Sequence, residues 1–173
     1  MTIAQEMKEF ATHELGHVVA FWAFGEVHEP EIVKCPDGCL AGGASYVNHR
    51  SGYPLSEDGD ITPEREILAR LAGGAAEYSF CDTATYDSVA DAMESDLDGL
   101  LQRNLIDEET FENIFNSDEW KAAVSLVKKY EPQIRKGAKW LVKQMVLEED
   151  EVKALMTGRR RCGLKAKRRR EAS

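Results

Sequence analysis

His13-Glu14-Leu15-Gly16-His17 reads H-E-x-x-H. On a helix, positions i and i+4 share a face one turn apart, so two imidazoles can meet one metal ion. Zinc suits the pair: it takes nitrogen ligands at about 2.0–2.1 Å, and a catalytic zinc keeps one coordination position for water. Glu14 follows the first histidine and projects near the metal without ligating it. A carboxylate there can take a proton from the attacking water and hand it to a leaving amine. The plainer use of these residues is two surface histidines and a solvated glutamate. Their setting argues against that, because Ile3, Met7, Phe10, Val18, Phe21, Trp22 and Phe24 make the segment largely apolar. Histidines and a glutamate inside a buried helix need partners. Gly16 lets a second backbone come close.

Two histidines do not complete a site. The H-x-x-G-x-x-H continuation of metzincins is absent, since Ala20 and Ala23 stand at its glycine and third-histidine positions. The third ligand therefore comes from further along. His28 and His49 sit in or beside irregular segments and read as ordinary surface histidines, either one a third ligand only with a fortunate fold. Cys35-Pro36-Asp37-Gly38-Cys39 is C-x3-C around a turn with no second pair at finger spacing, which reads as reduced thiols beside a hairpin.

The elements that must position these groups follow from the pattern. Thr2 is placed to cap the first helix and Gly25 to stop it. Ile32–Cys35 and Leu40–Val47 flank a turn and read as two strands, and residues 49–59 read as an exposed loop. Thr62-Pro63-Glu64 is a helix start, with a cap, a proline at the first position and an acid in the first turn. That helix carries Ala72-Gly73-Gly74-Ala75-Ala76-Glu77-Tyr78. Each glycine there costs about 1 kcal/mol against alanine, so the run predicts a second helix packed very close, the H-E-x-x-H helix being the candidate. Ser95 is placed to cap a helix opening at Asp96. Residues 107–115, 117–129, 133–146 and 148–156 have apolar positions at three- and four-residue spacing and read as core-facing helices without chemistry. The expected fold is mainly α, with a small β-hairpin or sheet after the first helix and a helical C-terminal half.

A chain of 173 residues with 43% apolar and 8% aromatic content is long enough for one domain with a real core. No apolar run approaches the ~20 residues of a membrane span, and the N-terminus has no signal-peptide pattern. A cytoplasmic protein is expected. The formal net charge of −9 is uneven: eight of the 22 basic residues lie beyond position 158, against one of the 31 acids. We divide the chain into a domain over 1–157 and a basic tail over 158–173. Such a tail reads as disordered and solubilising, or docked on the acidic body. Nucleic-acid binding would rest on the tail alone and is not expected.

In this order the pieces resemble the peptidase domain of the FtsH family of ATP-dependent zinc metalloproteases. His13, Glu14, Gly16 and His17 match its H-E-x-G-H helix, and a small sheet follows. Ala72 to Tyr78 matches its Gly-Gly-Arg-x-Ala-Glu-Glu helix, and Glu94-Ser95-Asp96-Leu97 matches the segment whose aspartate ligates zinc. The resemblance spans Ile3 to about Met156. Leu15 stands at the family's usual alanine, Gly74 at its arginine and Tyr78 at its second glutamate. The family's glycine before the ligand aspartate is missing from Asp91-Ala92-Met93-Glu94-Ser95. No G-x-x-x-x-G-K-[ST] loop of an ATPase module is present.

The resemblance implies Zn2+ held by His13, His17 and Asp96, with Glu14 as general base in hydrolysis of unfolded or flexible protein segments. Asp87, Asp91 and Glu77 stay open as rivals to Asp96, with Glu77 also placed to orient a histidine. Implied partners are a peptide or unfolded-protein substrate, a separate ATPase, and further copies of the chain. The alternative is a catalytically altered relative acting as a binding or regulatory partner.

Overall fold

The computed structural model describes residues 2–34, 40–49 and 61–158. Helices dominate: α1 (Ile3–Ala23), α2 (Pro63–Phe80), α3 (Tyr86–Ala92), α4 (Glu94–Gln102), α5 (Glu108–Glu112), α6 (Asp118–Lys129), α7 (Glu131–Gln144) and α8 (Glu149–Met156), with a 3-10 turn at Ile114–Asn116. Strands β1 (Glu26–Lys34) and β2 (Leu40–His49) pair antiparallel, from Glu26 opposite His49 to Lys34 opposite Leu40. No helix among the described residues is long and apolar enough to cross a membrane.

The central element is α1. Thr2 caps it and exchanges hydrogen bonds with Gln5 in a capping box. Gly25, at φ 94°, turns the chain out of it in a conformation glycine adopts without steric cost. Residues 11 to 20 are all buried, so the helix lies inside the domain with no solvent face over that stretch.

Helix α2 runs antiparallel against α1. Arg65 lies over Phe24, the Ala69 carbonyl meets His17, and Glu77 meets His13. The backbones touch at Gly16, where a Cβ would fall 2.1 Å from the Ala72 carbonyl oxygen. This is the close approach that the Ala/Gly run predicts. Pro63 opens α2 as expected, although the Thr62 side chain makes no cap bond. Tyr78 stacks on Tyr86 with ring centroids 4.8 Å apart, and so ties α2 to α3.

Several local expectations are corrected. Strand β1 begins at Glu26, ahead of the Ile32 start, because both of its edges are engaged. Besides β2, the Ile32 N–H donates to the Met145 carbonyl at 2.7 Å, and the Leu147 N–H to Pro30 at 3.0 Å. His28 is not a surface histidine. It is 6% exposed, stacked on Phe21 at 3.7 Å and paired with Glu26 at 2.9 Å. Ser95 does not cap α4: that helix starts at Glu94, with Met93 ending α3 and opening α4. Helix α3, capped by Thr85 and Ser88, was not anticipated, and 107–115 resolves into a five-residue helix and a 3-10 turn. The Cys35/Cys39 turn, the side chain of His49, the 50–60 loop and the tail from 159 lie outside the described residues.

Candidate metal centre

His13 and His17 sit one turn apart on the α2 side of α1, 7% and 8% exposed. Their rings meet edge to face with centroids 4.9 Å apart. Each is oriented through Nδ1. His13 Nδ1–H donates to Glu77 Oε2 at 3.2 Å, and His17 Nδ1–H to the Ala69 carbonyl at 2.9 Å. Both acceptors belong to α2. Fixing Nδ1 as donor leaves Nε2 as the atom that could face a metal, the arrangement that ligand histidines use.

Asp96 supplies the third atom from the first turn of α4. Its Oδ2 lies 3.3 Å from both His13 Nε2 and His17 Nε2. His13, His17 and Asp96 form the one such group of potential metal ligands among the described residues. Glu77 is placed across the His13 ring, on Nδ1 and away from the convergence of the three atoms. Asp87 and Asp91 are exposed on α3 and join no group.

Three observations test whether these residues fit zinc. Ligand atoms bound tetrahedrally at about 2.0–2.1 Å stand about 3.3–3.4 Å apart, and both Asp96–histidine separations are 3.3 Å. A Cβ at Gly73 would fall 2.5 Å from His17 Nε2 and 2.6 Å from His13 Nε2, so the missing side chain leaves room where both nitrogens point. Glu14 is 5% exposed, feels the charges of both histidines and Asp96, and its Oε2 has no hydrogen-bond partner among the described residues. Two imidazoles and one carboxylate are also the donor chemistry of catalytic zinc.

The electrostatics are those of a site built for a cation. Burial alone would push His13 down, but Asp96 and Glu77 accept its hydrogen bonds and Glu14 adds its charge, which together raise it to about 9. Burial likewise opposes a charged His17, and Asp96 outweighs it, so that imidazole is raised too. Asp96 goes the other way: burial would raise it, but the charges and hydrogen bonds of the two histidines hold it below the usual carboxylate range. Burial pushes Glu14 up, against the pull of His17 and His13. A raised carboxyl is the state wanted in a base that must also return a proton.

The centre opens onto a cleft of about 680 Å³ whose walls include Phe10, Phe21, Glu66, Arg70 and Arg103. Sequence reasoning missed Glu66, Arg70 and the contact role of Gly73. The Glu66–Arg70 pair at i, i+4 is a local signal that could have been read; its link to Asp96 is not local. Comparison of the chain with protein-family models gives no match, and comparison with curated proteins gives no significant match.

Proposed function

We propose that the chain is a zinc-dependent endopeptidase acting on unfolded or flexible protein segments. His13, His17 and Asp96 would hold the ion and Glu14 would serve as general base. The observation that carries this reading is the buried Glu14 carboxylate, which feels the charges of His17, His13 and Asp96 and whose Oε2 has no hydrogen-bond partner among the described residues. A site that only stapled the fold would have no use for it, since leaving a buried carboxylate oxygen unpaired costs stability. Zinc bound there would supply Lewis acidity toward the scissile carbonyl and the attacking water. Glu14 takes the proton of that water and delivers it to the departing amine nitrogen. Glu77 and the Ala69 carbonyl hold the two rings in orientation. The apolar walls at Phe10 and Phe21 accept side chains of an extended segment. The resemblance to FtsH-type peptidases supports the same assignment and adds a separate ATPase as the expected source of unfolded substrate.

The test is cleavage of unfolded casein by the full chain, with zinc content measured on the same preparation. Glu14→Gln is nearly isosteric and can neither accept nor return the proton. It should keep one zinc per chain and lose roughly 10²–10⁴-fold in rate, the usual worth of a positioned acid–base group. Near wild-type cleavage by Glu14→Gln, or a wild type without zinc, would remove the proposal.

A further inference from the structure

Asp96 has two carboxylate oxygens, and the structure treats them differently. Oδ2 faces both imidazoles at 3.3 Å, while Oδ1 faces Arg70 Nη1 at 3.6 Å. Arg70 is itself held. Its Nε–H donates to Glu66 Oε1 at 3.3 Å, one turn back on α2. Glu66 is 5% exposed, and its Oε1 also takes a bond from Arg103. The other side of the guanidinium lies on α4 at Gly99, where a Cβ would stand 2.8 Å from Nη1 and 3.1 Å from Cζ. Gly99 is three residues after Asp96, so one bare patch of α4 seats the group that grips the carboxylate one turn earlier.

We propose that Arg70, braced by Glu66 and seated on Gly99, is a positioning residue for the metal centre: it occupies Asp96 Oδ1 so that the carboxylate offers Oδ2 alone. This rests on the reading of His13, His17 and Asp96 as metal ligands. The chemistry at stake is denticity. A free carboxylate can bind a metal through one oxygen or both. A second bound oxygen would take up a position that a hydrolytic zinc keeps for water. Arginine suits the task because its planar fork donates in fixed directions while its charge cannot be lost at working pH. The competing expectation is that a cation this close simply repels the ion. That predicts the opposite sign, since Arg70 removal would then tighten metal binding.

The experiment uses the full chain and two probes, Zn2+ in competition with a chromophoric chelator and Co2+ read by its d–d absorption. Wild type, Arg70→Met, Arg70→Lys, Gly99→Ala and Asp96→Asn are compared, with circular dichroism establishing folding. Arg70→Met should weaken zinc roughly 10–100-fold, the usual cost of losing the outer partner of a ligand, and Asp96→Asn should cost more. The cobalt bands of Arg70→Met should weaken in intensity, the mark of a move from four toward five coordination. Arg70→Lys should recover part of the affinity but not the wild-type spectrum. Gly99→Ala, which displaces the guanidinium without removing it, should shift spectrum and affinity in the same direction by less. If Arg70→Met does not fold, Arg70→Lys and Gly99→Ala still decide. Unchanged spectra in the folded variants, or tighter zinc in Arg70→Met, overturn the positioning role while leaving the metal centre standing. A wild type that binds neither ion overturns the metal centre and this role with it.

Discussion

The two faces of α1 do different work with similar materials. Toward α2 it presents His13 and His17, and the facing glycine, Gly73, leaves room for ring nitrogens. Toward α7 it presents Leu15, and the facing glycine, Gly137, leaves room for leucine: a Cβ there would fall 2.6 Å from Leu15 Cδ1 and from Leu155 Cδ2. Both faces are buried and packed against a neighbouring helix. On the α7 face, contact is the whole purpose, and burial converts directly into stability. On the α2 face, each buried polar atom needs a named partner. Glu77, the Ala69 carbonyl and Asp96 supply those partners for the two histidines, and Glu14 Oε2 has none among the described residues. The difference separates a face that tolerates repacking from one that does not.

The sharpest way to break that contrast is to fill the two glycines. Gly73→Ala places a methyl where both Nε2 atoms point, and should abolish stoichiometric zinc in dialysed protein. Gly137→Ala should lower stability by about 1–3 kcal/mol through overpacking and leave the metal content alone. Equal zinc in both variants would erase the distinction between the faces.

A second test removes bulk from the helical half. Trp120 of α6 is 4% exposed and its ring lies against those of Tyr78 and Phe115. Trp120→Ala should cost about 3–5 kcal/mol in urea unfolding. Its folded fraction should bind zinc as wild type does, and a collapse of affinity there would join the two regions into one cooperative unit.

A third variant probes the polar face more gently. Glu77→Gln keeps a hydrogen-bond acceptor for His13 Nδ1 but loses the charge. Zinc affinity should fall roughly 10–100-fold, with melting of the metal-free protein changed less than by Trp120→Ala. Complete loss of zinc would make Glu77 a ligand.

The smallest effect is a slope. In chelated protein, His13 is raised from 6.5 to about 9. Its contribution is therefore fully present below pH 6.5 and is lost as pH rises through about 9. Asp96 is lowered from 3.8, so its contribution is present above that value and is lost on acidification below it. Metal-free protein should melt at progressively lower temperature between pH 7 and 9. Protein with zinc should show the reverse trend over the same range, because metal and protons compete for the same atoms. Parallel slopes with and without zinc would dissociate the histidines from the metal.

How much of this was legible in the sequence depends on the distance over which each contact acts. The pairing of His13 with His17 is set within one helical turn, and the close α1–α2 contact was readable because Gly16 and the Ala72–Ala76 run have few other uses in helices. Asp96 was reached only through the order of pieces in a resembling family. The α4 start at Glu94 shows why local capping logic misled at Ser95: Met93, fully buried, ends one helix and begins the next. His28 looked exposed because nothing nearby in sequence announces that β1 folds over Phe21. Arg70 and Glu66 were passed over because their i, i+4 spacing on α2 says nothing of Asp96, and only the approach of α4 brings that carboxylate to Arg70.

The place of Asp96 on its own helix has a mechanical consequence. His13 and Asp96 are 83 residues apart in sequence, and α4 is anchored by just two buried side chains of its own, Leu97 and Leu100. An ion shared by the two positions is a cross-link made of coordinate bonds, closing a loop of that length. A covalent tie over such a span restricts the unfolded chain by about 4.5 kcal/mol in the chain-entropy picture. Stripping the ion would then do more than silence Glu14. It would let the α3–α4 segment breathe away from α1, so the chain deprived of metal should be nicked there by an added protease, and protected by zinc.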